Sequence, residues 1–245
     1  MARVAVLGIT GRVGSRVGAE LLRRKHRVSG FARSVSGVAR MTGLTLAALD
    51  GTDTEQLAAA LRGHDAFVSA TRFVDGIGAR ELIAAAHQSG VMRVLVVGGA
   101  GSLRTGPGGQ ALVDAPDFPL AYRAEALAGR AFLEVLRGEQ GLEWTFLSPS
   151  AEFAPGARTG HFRLGGDELL VDPQGHSRIS MEDFAVALVE EIENPAHVRQ
   201  RFTVGYWRAD RWRGARPQQQ VVGGGRRVQR CSQGGSNRTV REENR

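Results

Sequence analysis

The sequence predicts an α/β fold, doubly wound on a mainly parallel sheet and forming a single domain. Three observations carry this expectation. Between residues 4 and 206, short apolar runs rich in β-branched residues alternate with stretches of helical periodicity, the pattern of right-handed strand–helix–strand crossovers. The runs are apolar almost throughout, as strands are when both faces of their sheet are covered. The first of them ends in a glycine-spaced turn that leads directly into a helix.

Taken in order, the first strand is residues 4–7, followed by Gly8-Ile-Thr-Gly11-Arg-Val-Gly14 and a helix over 12–24. Gly8 lets the chain turn sharply off the strand, and Gly11 lets backbone N–H groups approach a pyrophosphate. Gly14 lets the helix pack closely, with its positive end aimed at the phosphates. This is the nucleotide-binding opening of a Rossmann fold, spaced G-x-x-G-x-x-G, and Thr10, Arg12 and Val13 belong to the same site. Residues 27–32 read as the second strand, 34–41 as a short helix or turn, and 44–49 as the third strand, ending at Asp50 and Gly51. A helix over 54–62, capped by Thr52 or Thr54, leads to a fourth strand at 65–70. A helix over 79–89 stops at Gly90, before a fifth strand at 91–97.

Residues 98–119 hold glycines and prolines and read as an irregular loop at the carboxyl end of the fifth strand, where ligands sit in open α/β sheets. An amphipathic helix over 121–137 precedes a sixth strand at 142–147. A second irregular stretch, 148–166, is expected to complete the walls of a substrate site. A short ribbon follows, pairing 168–171 with 177–179, then a helix capped by Ser180 with Asp183 at its N3 position, ending near Pro195. The final strand is 201–206.

Beyond this point the pattern collapses. Ten of the 32 basic and three of the 25 acidic residues lie in 207–245, so the entire +7 excess is there and residues 1–206 balance. The division is therefore a nucleotide-binding domain over 1–206 and a basic extension, expected to be disordered, over 207–245. A nucleic-acid-binding arm is the alternative for that extension; the balanced body gives no reason to expect nucleic acid elsewhere. No apolar run is long enough to span a bilayer, the chain opens directly on its first strand, and Cys231 is the one cysteine. Together these predict a cytoplasmic protein without membrane partners, disulfide or cysteine-based metal cluster. His26, His64, His87 and His197 do not cluster, so no metal site is expected.

The end of the second strand reads Phe31-Ala32-Arg33-Ser34, with no carboxylate to accept from the ribose hydroxyls. Arg33 is placed to pair with a 2′-phosphate, Ser34 to add a hydrogen bond, and Arg12 to approach the same phosphate or the pyrophosphate. The expected cofactor is NADP(H) in preference to NAD(H). Asp50 is expected at the adenine edge. Ser69, Ala70 and Thr71, with Gly98 and Gly99, are expected under the ribose and nicotinamide.

Several stretches carry a family resemblance: Val6-Leu-Gly-Ile-Thr-Gly-Arg-Val-Gly14, Val96-Val-Gly-Gly-Ala-Gly-Ser102, Trp144-Thr-Phe-Leu-Ser-Pro149, Arg158-Thr-Gly160, and Ser177-Arg-Ile-Ser180 with Asp183. In these the chain resembles the atypical branch of the short-chain dehydrogenase/reductase superfamily. It is most similar there to NAD(P)H-binding proteins of the flavin reductase and biliverdin reductase B type, with NmrA-like proteins nearby. Typical members use a Tyr-x-x-x-Lys pair. Here the one lysine, Lys25, ends the first helix, and Tyr122 is followed four residues later by Ala126. Carbonyl reduction by that route is not expected. The resemblance implies hydride transfer to a flavin, quinone or similar planar acceptor, which needs positioning more than a protein acid. It implies Ser102 as a hydrogen-bond donor beside the nicotinamide. It also implies a histidine after the sixth strand, where Glu152 stands instead and His161 falls several residues later. Tyr122 is a further candidate for the wall of the site or for a donor. The NmrA-like likeness implies the alternative, a redox-sensing or regulatory protein that binds NADP(H) without turning it over.

Overall fold

The structure, a computed structural model, describes residues 1–207. Ten strands and five helices follow one another in the expected alternation. Strands β1 (Arg3–Leu7), β2 (Arg27–Ala32) and β3 (Leu44–Ala48) run to one side; β4 (Ala66–Ser69), β5 (Arg93–Val97), β6 (Glu143–Ser148) and β10 (Gln200–Gly205) run to the other. The sheet order is β3-β2-β1-β4-β5-β6-β10-β8, parallel throughout except for the edge strand β8 (Arg163–Gly165), which pairs antiparallel with β10. A small second sheet pairs β7 (Glu152–Ala154) with β9 (Arg178–Ser180). This is a single-domain Rossmann-like fold.

Both faces of the sheet are covered, and strand parity shows how. Val4 and Val6 point to one side, packing with α1 (Gly14–Arg23) and α5 (Met181–Glu193). Ala5 and Leu7 point to the other, packing with α2 (Thr54–Leu61), α3 (Ala79–Ser89) and α4 (Leu120–Arg137). Phe184 and Phe202 are fully buried in the first layer, Phe67 and Phe146 in the second. Burying each ring contributes roughly 1.5–3 kcal/mol relative to exposure.

Of the two forms expected for residues 34–41, helix or turn, the structure has the turn, because the Ser34 hydroxyl bonds Ser36 through both its N–H and its side chain, an alternative to helical bonding. The structure corrects the sequence expectations at three places. The cap of α2 is Asp53, which accepts from the Gln56 N–H at 2.9 Å. Thr52 is unavailable for that role, since its N–H and hydroxyl both donate to Asp50. The loop over 98–119 contains a 3-10 turn, Leu112–Asp114. The stretch over 148–166 contains β7 and β8, and the partner of Arg178–Ser180 is β7, not residues 168–171; Glu168 instead bridges to Arg104. The basic extension falls outside the described residues, apart from Trp207, which lies under the Arg163 guanidinium at 4.7 Å.

Candidate functional site

β1 lies between β2 and β4, so the crossovers from its two sides diverge above its carboxyl end. A cleft of about 380 Å³ opens there. In open α/β sheets, this divergence is where ligands bind. The turn after β1 forms its floor. Gly8 has φ +84°, and a Cβ on it would lie 2.6 Å from the Ala70 carbonyl oxygen. A Cβ on Gly14 would lie 2.1 Å from the Gly8 carbonyl oxygen, so α1 approaches the turn as closely as backbone allows. Gly11 spends its own N–H on the Gly8 carbonyl at 2.9 Å. The N–H groups of Thr10, Arg12 and Val13 have no partner among the described residues and are the turn's available donors. Helix α1 has no side-chain cap and no acidic residue in its first turn. Its first turn thus offers no acidic side chain of its own to compete with a ligand, and the Glu182 carboxylate that approaches it is paired with Arg16, which leaves a cradle fitted to a dinucleotide pyrophosphate.

Gly8, Thr10 and Gly11 line the cleft from below, Arg33 and Ser34 from the end of β2, Asp50 from the end of β3, and Ala70 and Thr71 from beyond β4. Arg33 is exposed and makes no hydrogen bond or ion pair among the described residues. The Asp50 carboxyl is held below the usual range by its bonds from the Thr52 N–H and hydroxyl, with the Arg33 charge adding to them. Arg72 and Asp75 complete the opposite wall. The loop bearing them is fastened to α4 by Glu125, which accepts the Phe73 N–H at 2.7 Å and the Val74 N–H at 3.2 Å.

Other expected site residues lie outside this lining. Arg12, Val13 and Gly14 build the turn and the start of α1. Ser69 is buried, its hydroxyl 3.4 Å from that of Thr71. Gly98 is required by packing, since a Cβ there would lie 2.3 Å from the Phe146 ring, whereas Gly99 faces open space. Ser102 is partly exposed, and its hydroxyl accepts from Arg201 at 3.4 Å. Arg201 is itself buried and paired with Asp167; burial lowers its pKa and Asp167 opposes that. Tyr122 stands 68% exposed on the first turn of α4. His161 is exposed, and only its backbone is bonded among the described residues, to Thr159. The structure does not bring Ser102, Tyr122 and His161 onto the cleft wall. Among the described residues, no three His, Cys, Asp or Glu side chains group to hold a metal ion. No helix there is long and apolar enough to cross a membrane.

Sequence reasoning missed a polar network at the N-terminal end of α5. Asp183 is fully buried and accepts from the Thr159 N–H (2.7 Å), the Thr159 hydroxyl (2.5 Å), the Gly160 N–H (2.8 Å) and the Tyr206 hydroxyl (2.8 Å). Ser180 caps α5 through the Asp183 N–H and donates its own hydroxyl to the Ala157 carbonyl. Arg158 makes two hydrogen bonds to Glu20 on α1, both 2.9 Å. The segment 156–160 is thus strapped to the N-terminal end of α5 and to α1. The signal available in the sequence was Arg158-Thr-Gly160 together with Ser180 and Asp183, readable as a motif but not as a contact.

The glycine cradle fits a family-level match. A family described as NAD(P)H-binding covers residues 8–195. The chain belongs to this NAD(P)H-binding family. The uncharacterized protein YwnB of Bacillus subtilis is 34% identical over 210 residues, 82% of this chain and 97% of YwnB. A solved structure from Burkholderia pseudomallei is 43% identical, with TM-score 0.76 over 84% of this chain and 100% of that one. Another, from Streptococcus pneumoniae and described as an NADH-flavin reductase, is 29% identical, with TM-score 0.73 over 84% of this chain and 100% of that one. Family and relatives agree with the Rossmann-like fold and with a cleft that holds an NAD(P)H cofactor.

The network also predicts a pH response. Burial holds the Tyr206 phenol well above its usual range, the Asp183 carboxylate reinforces this, and the contact with Ser180 acts in the opposite sense. A pKa raised on folding contributes stability that is complete below the unfolded value of about 10 and lost as pH rises toward the folded value. Tyr206→Phe is expected to cost about 1–2 kcal/mol at neutral pH and to flatten the alkaline fall in stability. Urea midpoints measured from neutral to strongly alkaline pH check both; an alkaline limb of unchanged steepness would count against this role.

Proposed function

We propose that the protein is an NADPH-dependent oxidoreductase that passes hydride to a flavin, quinone or similar planar acceptor without a tyrosine–lysine pair. The observation that carries the cofactor preference is Arg33, an exposed guanidinium on the cleft wall without an ion-pair partner among the described residues. No carboxylate stands at the end of β2, and Asp50 on the same wall acts on Arg33 through its charge without an ion-pair contact. A 2′-phosphate there gains a charge-assisted, bidentate partner, and Ser34 adds a hydroxyl. Thr10, Arg12 and Val13 offer N–H groups to the pyrophosphate, and Asp50 meets the adenine edge. Ser69, Ala70, Thr71, Gly98 and Gly99 border the ribose and nicotinamide. The bound dinucleotide supplies the hydride. The chain's task is to hold the acceptor flat against the cofactor and exclude water, with Ser102 donating a hydrogen bond and Tyr122 and His161 bordering the acceptor side. The likeness to the Streptococcus protein supports the flavin as acceptor, and the single cysteine, Cys231, supports a cytoplasmic setting.

One observation favours a second reading, a regulatory protein that binds NADP(H) without turnover: none of the three candidate donors lines the cleft. One experiment separates the two. NADPH and NADH are titrated by fluorescence against the wild type and Arg33→Asp, then oxidation is followed with FMN, FAD or a quinone in excess. Arg33→Asp is expected to weaken NADPH about 10–100-fold with little change for NADH. An unchanged preference would overturn the NADPH assignment. Saturable turnover that falls in Ser102→Ala supports the reductase; tight binding without oxidation by any acceptor establishes the regulator.

A further inference from the structure

A second cleft, of about 250 Å³, lies at the amino ends of β1, β2 and β3, the opposite end of these strands from the nucleotide cleft. Strand register explains its chemistry. Arg3 on β1 is paired with Arg27 on β2, and Ser29 on β2 with Thr45 on β3. Residues paired across parallel strands share a face, and so do residues two apart on one strand. Arg3, Arg27, Ser29 and Thr45 therefore project from the same side of the sheet, and all four line the cleft with His64. Helix α2, only eight residues long, ends at Leu61 before covering this part of the face.

Two guanidiniums side by side on neighbouring strands repel each other. Asp65 offsets this only in part. Its nearest approach to the Arg3 guanidinium is 3.7 Å, and its other oxygen accepts the Arg3 N–H at 2.7 Å. The Arg27 guanidinium and the Thr45 hydroxyl make no hydrogen bond among the described residues. The remaining polar groups are fixed. The Nδ1 of His64 lies 3.0 Å from the Leu61 carbonyl, which can only accept, so Nδ1 carries the proton in the neutral ring. Nε2 then accepts the Ser29 hydroxyl at 2.8 Å. The groups left to address a ligand are two cations and one hydroxyl donor, on a concave wall large enough for a tetrahedral oxyanion with a few further atoms.

We propose that this cleft binds a phosphate group, either inorganic phosphate or the phosphoryl end of a small phosphate monoester. Arg3 and Arg27 neutralise it from adjacent strands, Thr45 donates its hydroxyl, and the phosphate relieves the repulsion between the two arginines. The site is independent of the nucleotide cleft, so its failure leaves the NADPH reading intact.

Phosphate also suits the nucleotide cleft, so the test reads the second site directly. Backbone amide signals of Ser29 and Thr45 and ring signals of His64 are followed by NMR in the full chain. Inorganic phosphate and glycerol 3-phosphate are titrated separately, each against sodium chloride of equal ionic strength. The expected result is saturable shifts at all three residues, with a dissociation constant of about 1 mM or tighter for at least one of the two. Arg27→Gln should weaken that binding at least about tenfold and Thr45→Val by a smaller factor, while Arg33→Gln leaves it unchanged. Shifts for the monoester alone mark an organic ligand, and equal shifts for both mark the phosphate group as the whole determinant. The proposal is overturned if the three signals stay still, if chloride moves them equally, or if Arg27→Gln titrates like the wild type.

Discussion

Asp183→Ala is expected to lower the stability of the protein by about 3–5 kcal/mol. The carboxylate is fully buried and accepts four hydrogen bonds, from two N–H groups and two hydroxyls. Bonds to a charged group are worth roughly 1.5–3 kcal/mol each but are not additive where they share one acceptor. Alanine removes the acceptor and leaves the Thr159 and Gly160 N–H groups facing a cavity, with desolvation unrepaid. Against a typical domain stability of about 5–15 kcal/mol the loss is severe, equivalent to roughly 10–15 °C in melting temperature. Asp183→Asn separates geometry from charge. Its oxygen can still accept the two N–H groups, and its amide can donate to the Thr159 and Tyr206 hydroxyls, which can accept as well as donate. Asn is therefore expected to lose less than half of what Ala loses. Urea denaturation of the three proteins at neutral pH checks both; equal midpoints for Ala and wild type would show that the strap over 156–160 does not depend on Asp183.

The parts of this molecule that depended on local physics were readable from the sequence, and the parts that depended on distant pairing were not. The turn over Gly8 to Gly14 could be read because its glycines meet one another, Gly11 and Gly14 both abutting the Gly8 carbonyl, whereas the contact of Gly8 with Ala70, just beyond β4, could not. The Ser180 cap could be read because the accepting hydroxyl and the Asp183 N–H that donates to it are three residues apart. The cap of α2, expected at Thr52 or Thr54, is Asp53 because Thr52 is bonded to Asp50 and Thr54 is already the first residue of the helix, neither of which local residue type reveals. The pairing of β7 with β9 joins two strands of three residues each, too short for periodicity to show. Arg158 and Glu20 are 138 positions apart, and no local pattern marks their meeting. Among the candidate donors, residue type was visible but direction was not. Nothing in the sequence says that Arg201 would bond to Ser102, or that Tyr122 would stand in solvent.

Gly14→Ala is the second large effect, and here two contributions oppose each other. Alanine at the start of a helix improves on glycine by up to about 1 kcal/mol through backbone entropy. The added Cβ, however, would lie 2.1 Å from the Gly8 carbonyl oxygen, 2.8 Å from its carbonyl carbon and 3.3 Å from the Ile9 Cα. All three are backbone atoms, so no side chain can swing aside, and Gly8 cannot retreat because Ala70 lies behind it. The clash wins: the start of α1 must move off the turn, at a cost of about 1–3 kcal/mol or more. The movement also carries the Arg12 and Val13 N–H groups and the positive end of α1 away from where a pyrophosphate would sit. The dinucleotide is expected to bind about 10–100-fold more weakly, a loss larger than the change in stability alone explains. Gly166→Ala is the control, because its Cβ would meet nothing within 4 Å and its φ is not left-handed. That variant should match the wild type in both NADPH titration and urea midpoint. If Gly14→Ala binds the dinucleotide as the wild type does, the close approach of α1 to the turn is a feature of packing and not of the site.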